Sequence, residues 1–247
     1  MKAITALKLF LNVLRKGDEY SRYVLAQKLS ERIYPRYKFS EFGSQFLYDE
    51  EFIRYYESFQ GTASYRSLDR KYVLDQLAKL TVSVEGDTAE CGAFQGASSY
   101  LICRRLALTN KKHHIFDSFE GLSIPDPEDG AYWKAGDLAT AEEVIRRKLK
   151  EFDGVIYHKG WIPDRFGEVS KAKFCFLHLD VDLYRPTLDS LSYFYSRMSP
   201  GGIILSDDYG HSFCPGERKA MDSFFADKPE PIVSLPTGQA FVIKELG

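Results

Sequence analysis

An α/β domain built on a mostly parallel central sheet, with flanking helices and a helical N-terminal extension, is the fold the sequence predicts. From about Val84 onward, short apolar runs alternate with amphipathic stretches, which is the rhythm of βαβ units. Residues 1–82 instead carry tyrosine, phenylalanine and paired charges with little strand pattern. The chain has 247 residues, 44% apolar and 28% charged, enough for one full α/β core plus an extension. The division is therefore placed between a helical extension over 1–82, read as a substrate lid or oligomer contact, and a sheet domain over 83–247.

In chain order, Met1–Leu14 places Ile4, Leu7, Leu11 and Leu14 at helical spacing. It is too short and too interrupted by lysine and asparagine to span a bilayer, so an amphipathic helix packing on the domain or on a second subunit is expected. Further helices are expected up to residue 82, broken near Tyr34-Pro35 and Gln60-Gly61. Tyr48, Phe52, Tyr55, Tyr56 and Phe59 recur at helical spacing and are read as core or dimer contacts. Strands are placed at Asp87–Cys91, His114–Asp117, Val155–Lys159, Phe174–Asp180, Gly202–Asp207 and Ala240–Lys244. The helix after Asp182 has Pro186 in its first turn and Leu188, Leu191, Tyr195 and Met198 on one face. It is expected to stop at Ser199-Pro200-Gly201-Gly202.

A formal net charge of −2 argues against a nucleic-acid partner, which needs a basic surface. Cys91, Cys103, Cys175 and Cys214 form no C-x-x-C pair and are read as reduced thiols of a cytoplasmic protein rather than disulfides or a zinc site.

Two constellations carry chemistry. The first runs from strand through loop to helix as Thr88-Ala89-Glu90-Cys91-Gly92-Ala93-Phe94-Gln95-Gly96-Ala97-Ser98-Ser99. Gly92 and Gly96 permit tight turning and close backbone approach to a ligand, and the helix start offers free N–H groups. About 25 residues on, a second strand ends in Asp117, placed to accept ribose hydroxyls. A dinucleotide fold asks for G-x-G-x-x-G; here the middle glycine is missing and Glu90 precedes the loop, which suits a cationic or amine-bearing ligand. A ligand-free strand–turn–helix is the plain alternative.

The second is a cluster of acids. The apolar run from Phe174 ends in Asp180-Val181-Asp182, and the next strand ends in Asp207-Asp208-Tyr209. In a right-handed α/β sheet both ends leave by the ligand-binding edge, which gathers Asp180, Asp207 and Asp208. Carboxylates this close raise one another's pKa unless a hard, oxygen-liganded cation sits among them, with Mg²⁺ the favoured ion. The alternatives are helix caps, or exposed acids paired with Arg185 or Lys219.

Together these segments resemble the macrocin O-methyltransferase family, the sugar O-methyltransferases of antibiotic pathways. The resemblance rests on Ala89-Glu90-Cys91-Gly92 with Gly96-x-Ser98-Ser99, on Phe116-Asp117-Ser118-Phe119-Glu120-Gly121-Leu122 and on Lys159-Gly160-Trp161. It continues through Leu179-Asp180-x-Asp182-Leu183-Tyr184 and Ser199-Pro200-Gly201-Gly202 to Asp207-Asp208-Tyr209, roughly Tyr65 to Lys244 in all. It implies a Rossmann-like domain that binds S-adenosylmethionine, and a divalent metal that chelates the hydroxyls of a small-molecule or glycan acceptor. Glu90, Gly92, Phe94, Gly96, Ser98, Ser99, Asp117, Ser118 and Trp161 are then cofactor candidates, and Asp180, Asp207 and Asp208 metal candidates. For the proton acceptor, Asp180 is the first choice, with His211 and His178 behind it; a buried hydrogen-bonded role suits His178 better. Trp161 is equally readable as packing, and Pro125–Gly130 as a lid or an acidic turn. Rival readings are a methyltransferase-fold scaffold without turnover and an aspartyl-nucleophile phosphatase, whose D-x-D motif belongs near a domain start rather than at Asp180.

Overall fold

The computed structural model describes residues 11, 19–33, 45–59 and 68–245. The chain separates into two compact units, Met1–Ser58 and Phe59–Gly247. In the first, α1 spans Glu19–Ile33, a 3₁₀ turn covers Gln45–Tyr48 and α2 spans Glu50–Ser58. The Asp49 carboxylate accepts the Phe52 N–H at 3.0 Å, which starts α2, and Glu50 and Glu51 suit the positive end of its dipole. Phe52 and Tyr55 are buried with ring centroids 5.7 Å apart, whereas Tyr48 is exposed. The expected Met1–Leu14 helix, Leu11 apart, and the breaks at Tyr34-Pro35 and Gln60-Gly61 lie outside the described residues.

The second unit opens with α3, Leu68–Leu80, and continues through β1 Asp87–Cys91, α4 Ala97–Leu106 and β2 His113–Asp117. Then come α5 Glu142–Lys148, β3 Val155–Lys159, β4 Phe174–Leu179 and α6 Tyr184–Phe194. The chain closes with β5 Met198–Ser206, α7 Pro215–Phe225, β6 Val233–Ser234 and β7 Ala240–Ile243. The seven strands lie in the order β3-β2-β1-β4-β5-β7-β6. β1 to β5 are parallel; β7 runs antiparallel to β5, and β6 to β7. The mostly parallel sheet of the sequence reading is the one observed.

Three boundaries differ from expectation. Helix α3 lies inside the second unit, so the division falls at Ser58/Phe59 rather than at residue 82. Its buried Asp75 accepts hydrogen bonds from Arg104 and Arg105 of α4, at 2.9 and 2.8 Å, a tie between residues far apart in sequence. Helix α6 stops at Phe194, and its buried face is Thr187, Ser190, Leu191 and Phe194 rather than the stripe through Leu188 and Tyr195. The Ser199-Pro200-Gly201-Gly202 stretch is already strand: Gly201 N–H donates to the Lys244 carbonyl at 2.9 Å, extending the ladder to β7. Strand β6 was not anticipated, because its two residues are both exposed and carry no apolar run.

Every residue of β4 is buried, as a central parallel strand requires. Phe166, Phe174 and Phe194 pack edge-on, with Phe194 4.9 Å from Phe166 and 5.0 Å from Phe174. All four cysteines are free and buried. Among the described residues no helix is long and apolar enough to cross a membrane.

Candidate cofactor and metal site

The sheet order reverses between β1 and β4, the point at which an α/β sheet opens a crevice beyond its carboxyl edge. Gly92, φ 80°, follows β1 there, and a Cβ on it would lie 1.9 Å from the Asp180 carbonyl oxygen. Only glycine fits. Phe94 at φ 46° and Gly96 at φ 83° complete the turn into α4. The Asp117 carboxylate staples two loops together: Oδ2 accepts the Ala93 and Phe94 N–H groups at 2.8 and 3.3 Å, and Oδ1 accepts Phe119 N–H at 2.7 Å. Burial outweighs those bonds and leaves its pKa above the ordinary carboxylate value.

An open cavity of about 600 Å³ lies over this edge, walled in part by Gly92, Phe94, Asp117, Ser118, Trp161 and Asp180. Five of the nine residues proposed from sequence as cofactor contacts therefore reach it. Glu90, Gly96, Ser98 and Ser99 are not part of its wall. Trp161 also borders a neighbouring groove that runs to Ile124 and Arg185.

Glu90 is fully buried and holds the floor of the site. It accepts from His178 Nδ1 at 2.9 Å, from His113 Nε2 at 3.3 Å and, closely, from the Ser99 hydroxyl. Burial opposes its charge, but these bonds win and bring its pKa to about 2. His178 is buried between Glu90 and Asp207, whose Oδ1 stands 3.5 Å from Nε2. Burial disfavours the imidazolium, yet the two carboxylates raise its pKa to about 9. The hydrogen-bonded reading of His178 is the one the geometry matches.

The acids at the ends of β4 and β5 come together, but not as a bare trio. Ligand atoms of His178, Asp180 and Asp207 lie within 4.8 Å of one another, and those of Asp182, Asp208 and Cys214 form a second such group. Arg70 of α3, which the sequence gave no reason to select, donates from Nη2 to Asp207 at 2.5 Å and to Asp208 at 2.9 Å. Its neighbour Lys71 donates to Ser98 Oγ at 2.6 Å and lies 3.7 Å from Asp207 and 4.0 Å from Asp180. Gln239 donates to Asp207 Oδ1 at 2.7 Å. Arg185 and Lys219, the partners considered from sequence, pair instead with Asp126 and Glu128.

These cations do not neutralise the cluster. Burial works against the Asp207 charge, but Lys71, Arg70 and His178 overcome it and hold its pKa low. Burial and neighbouring acids drive Asp180 and Asp208 up. Burial, with Asp180 beside it, lifts Asp182 to about 7. Glu217 of α7, also unanticipated, accepts the Ser206 hydroxyl at 2.5 Å; burial raises it to about 8. Asp208 Oδ2 and Glu217 Oε2 are buried without a hydrogen-bond partner. A hard divalent cation suits the carboxylates of this set, which are acid-rich and keep an unengaged buried oxygen on Asp208.

Asp182 has φ 59° and accepts only a weak bond from the Cys214 thiol, at 3.4 Å. His211 is half-buried with an unpartnered Nε2, and burial followed by the nearby Arg70 lowers its pKa. The Pro125–Gly130 segment holds a 3₁₀ turn at Pro127–Asp129, and the buried Asp129 accepts the Tyr184 N–H at 2.6 Å, capping α6.

Comparison with known proteins follows the same lines. A family model described as macrocin-O-methyltransferase matches residues 69–234. Demethyldecarbamoylnovobiocin O-methyltransferase of Streptomyces niveus is 32% identical over 162 residues, 58% of this chain and 60% of that one. An O-methyltransferase of Streptomyces olivaceus, named for the 4'-oxygen of a dimethoxyrhamnosyl tetracenomycin, is 31% identical over 55% of this chain and 57% of its own. The chain thus spans about three fifths of the length of the curated relatives it matches. The solved structure of the O-methyltransferase NovP aligns at a TM-score of 0.62 and 25% identity, over 74% of this chain and 82% of that one. An O-methyltransferase of Bacillus cereus in complex with SAH shares the fold alone, with a TM-score of 0.54 and 13% identity over 90% of this chain and 99% of its own.

Proposed function

The chain belongs to the macrocin-O-methyltransferase family, and from that premise we propose that it methylates a sugar hydroxyl of a glycosylated small molecule. The observation that carries this reading is the meeting, at one sheet edge, of a close-approach glycine crevice and an oxygen-rich acidic cluster. S-adenosylmethionine, the proposed cofactor, supplies a methyl that is already electrophilic on its sulfonium. A divalent cation on Asp180, Asp207 and Asp208, Mg²⁺ by the hardness of its donors, would lower the pKa of the acceptor hydroxyl.

The chain's own residues supply placement and proton transfer. Gly92 lets backbone approach the cofactor, while Asp117 and Ser118 offer polar groups toward a ribose and Trp161 a flat wall. Glu90 fixes the His178 ring through Nδ1, which leaves Nε2 directed at Asp207. Asp180 and Asp182 both border the cavity, but Asp180 faces Lys71, whereas Asp182 has only a thiol donor. We therefore assign proton acceptance to Asp182 ahead of Asp180, with His211 as the neutral alternative. Holding the acceptor oxygen in line with the methyl–sulfur bond is the larger contribution.

Calorimetric titration with S-adenosylhomocysteine, with and without Mg²⁺, tests both sites. Wild type and the Asp180→Ala/Asp207→Ala variant are expected to bind the adenosyl ligand alike, and only wild type to show a Mg²⁺ signal. Absence of adenosyl binding in every condition would overturn the reading in favour of a scaffold. The Arg70 bridge between Asp207 and Asp208 favours one variant reading, in which the cluster works without a cation. Activity lost in EDTA and restored by Mg²⁺ excludes it.

A further inference from the structure

Two loops outside the core bring four rings together beside the acids. Tyr132 and Trp133 come from the segment between the Pro127–Asp129 turn and α5; His211 and Phe213 come from the segment between β5 and α7. Tyr132 stacks on Phe213 at 4.9 Å and 30°, Trp133 meets Tyr132 edge-on at 4.9 Å, and His211 stacks on Phe213 at 6.1 Å. Tyr132 is nevertheless 60% exposed and Phe213 47%. Neither belongs to the packed core, so burial does not explain their pairing.

The cluster is tied to the reacting edge through one sulfur. The Trp133 indole N–H donates to Cys214 Sγ at 3.4 Å, and the Cys214 thiol donates to Asp182 at 3.4 Å. Trp133 thus stands one residue removed from the proton acceptor assigned above, and Tyr132 and Phe213 are the chain neighbours of Trp133 and Cys214. Because Tyr132 and Phe213 stack on each other, they offer an outer face and not a slot. A planar aromatic ligand gains most between two rings. A pyranose needs one ring face for its C–H side and polar groups for its hydroxyl edge.

We propose that the Tyr132–Phe213 pair is an acceptor subsite that stacks against the C–H face of a pyranose and turns its hydroxyl edge toward Asp182. This rests on the methyltransferase reading for its purpose, not for its geometry. The subsite would grip the sugar while leaving the remainder of the acceptor in solvent. The chain then selects the ring to be methylated more strictly than the body that carries it.

Saturation-transfer NMR on the full chain, with S-adenosylhomocysteine and Mg²⁺ present and methyl α-L-rhamnopyranoside as the probe, tests it. Transfer to one face of the pyranoside is expected in wild type, to fall about fivefold in Tyr132→Ala and Phe213→Ala, and to survive in Tyr132→Phe. Calorimetric affinity for S-adenosylhomocysteine stays at the wild-type value in all three, which shows them folded. No pyranoside signal in wild type, a signal unchanged by both alanine variants, or one lost instead in Ile124→Ala of the neighbouring groove overturns the subsite. So does a Tyr132-dependent signal from coumarin, a planar aromatic probe, where the pyranoside gives none. If the adenosyl ligand fails to bind while the Tyr132-dependent pyranoside signal persists, the methyltransferase reading falls and the subsite stands.

Discussion

Helix α3 touches two buried clusters of charge built on opposite rules. At Asp75, one carboxylate faces two guanidinium groups: Oδ1 accepts from Arg104 and Arg105, and Oδ2 from Arg105 and Gln76. At the helix start, Arg70 and Lys71 face Asp180, Asp207 and Asp208, with Asp182 and Glu217 close behind. The first cluster satisfies its acid completely. The second leaves carboxyl oxygens of Asp208 and Glu217 buried and unengaged. A satisfied buried ion pair fastens one helix to the next, whereas an acid surplus is a standing demand for positive charge. That difference, more than the mere presence of acids, separates the functional edge from a structural tie.

The comparison can be broken most readily at Asp75. Asp75→Ala leaves two half-buried guanidiniums without their partner and is expected to cost about 3 kcal/mol in urea unfolding. A loss under ~1 kcal/mol would mean the tie is ornamental. Arg70→Met removes a cation from the acid-rich cluster and should cost about 2 kcal/mol in the absence of metal. Saturating Mg²⁺ should recover about that much in the variant, because an ion bound only by the folded state adds stability by mass action. No recovery would show that the cluster has no place for the ion.

Asp208→Asn is expected to leave stability within ~1 kcal/mol of wild type, since asparagine imitates the protonated carboxyl that burial and its acidic neighbours favour. Its Mg²⁺-induced shift in melting temperature should disappear. A well-paired control lies far from both clusters. Burial opposes the Glu230 charge, but hydrogen bonds from Lys244, at 2.6 Å, and Tyr195, at 2.8 Å, bring its pKa down to about 2. With the folded value below the unfolded one, the stabilisation is fully present above the ordinary value of 4.5 and is lost as pH falls from there toward 2. The stability gap between wild type and Glu230→Gln in urea unfolding, about 1 kcal/mol at neutral pH, should therefore narrow below pH 4.5. A gap that widens on acidification would contradict the pairing.

What could be read in the sequence was local. Strands β1, β2, β3, β4 and β7 announced themselves within a residue, and the Gly92 turn and the acids ending β2, β4 and β5 followed from strand-end chemistry. What escaped depends on distant pairing. Arg70 reaches Asp207 across 137 positions, and a cation pair on an amphipathic helix looks like any solvated face. Glu90 reads as a ligand contact because it precedes a glycine loop; its real partner, His178, lies 88 positions on. Asp182 stands outside the acids gathered from the sequence, and its φ of 59° is a turn that strand alternation does not foresee. Tyr132, Trp133 and Phe213 share no period at all; two loops had to fold before they met.

The four buried thiols give the molecule a set of internal clocks. Cys91 and Cys175 sit in adjacent central strands, while Cys214 stands at the loop end before α7. A water-soluble alkylating reagent reaches a buried sulfur only when the backbone around it opens. The two strand thiols should therefore react at the rate of whole-domain opening, and Cys214 at the faster rate of a local one. A ligand seated beside Asp182 should slow Cys214 first, so mass spectrometry of timed alkylation separates tightening of the site from stabilisation of the whole domain.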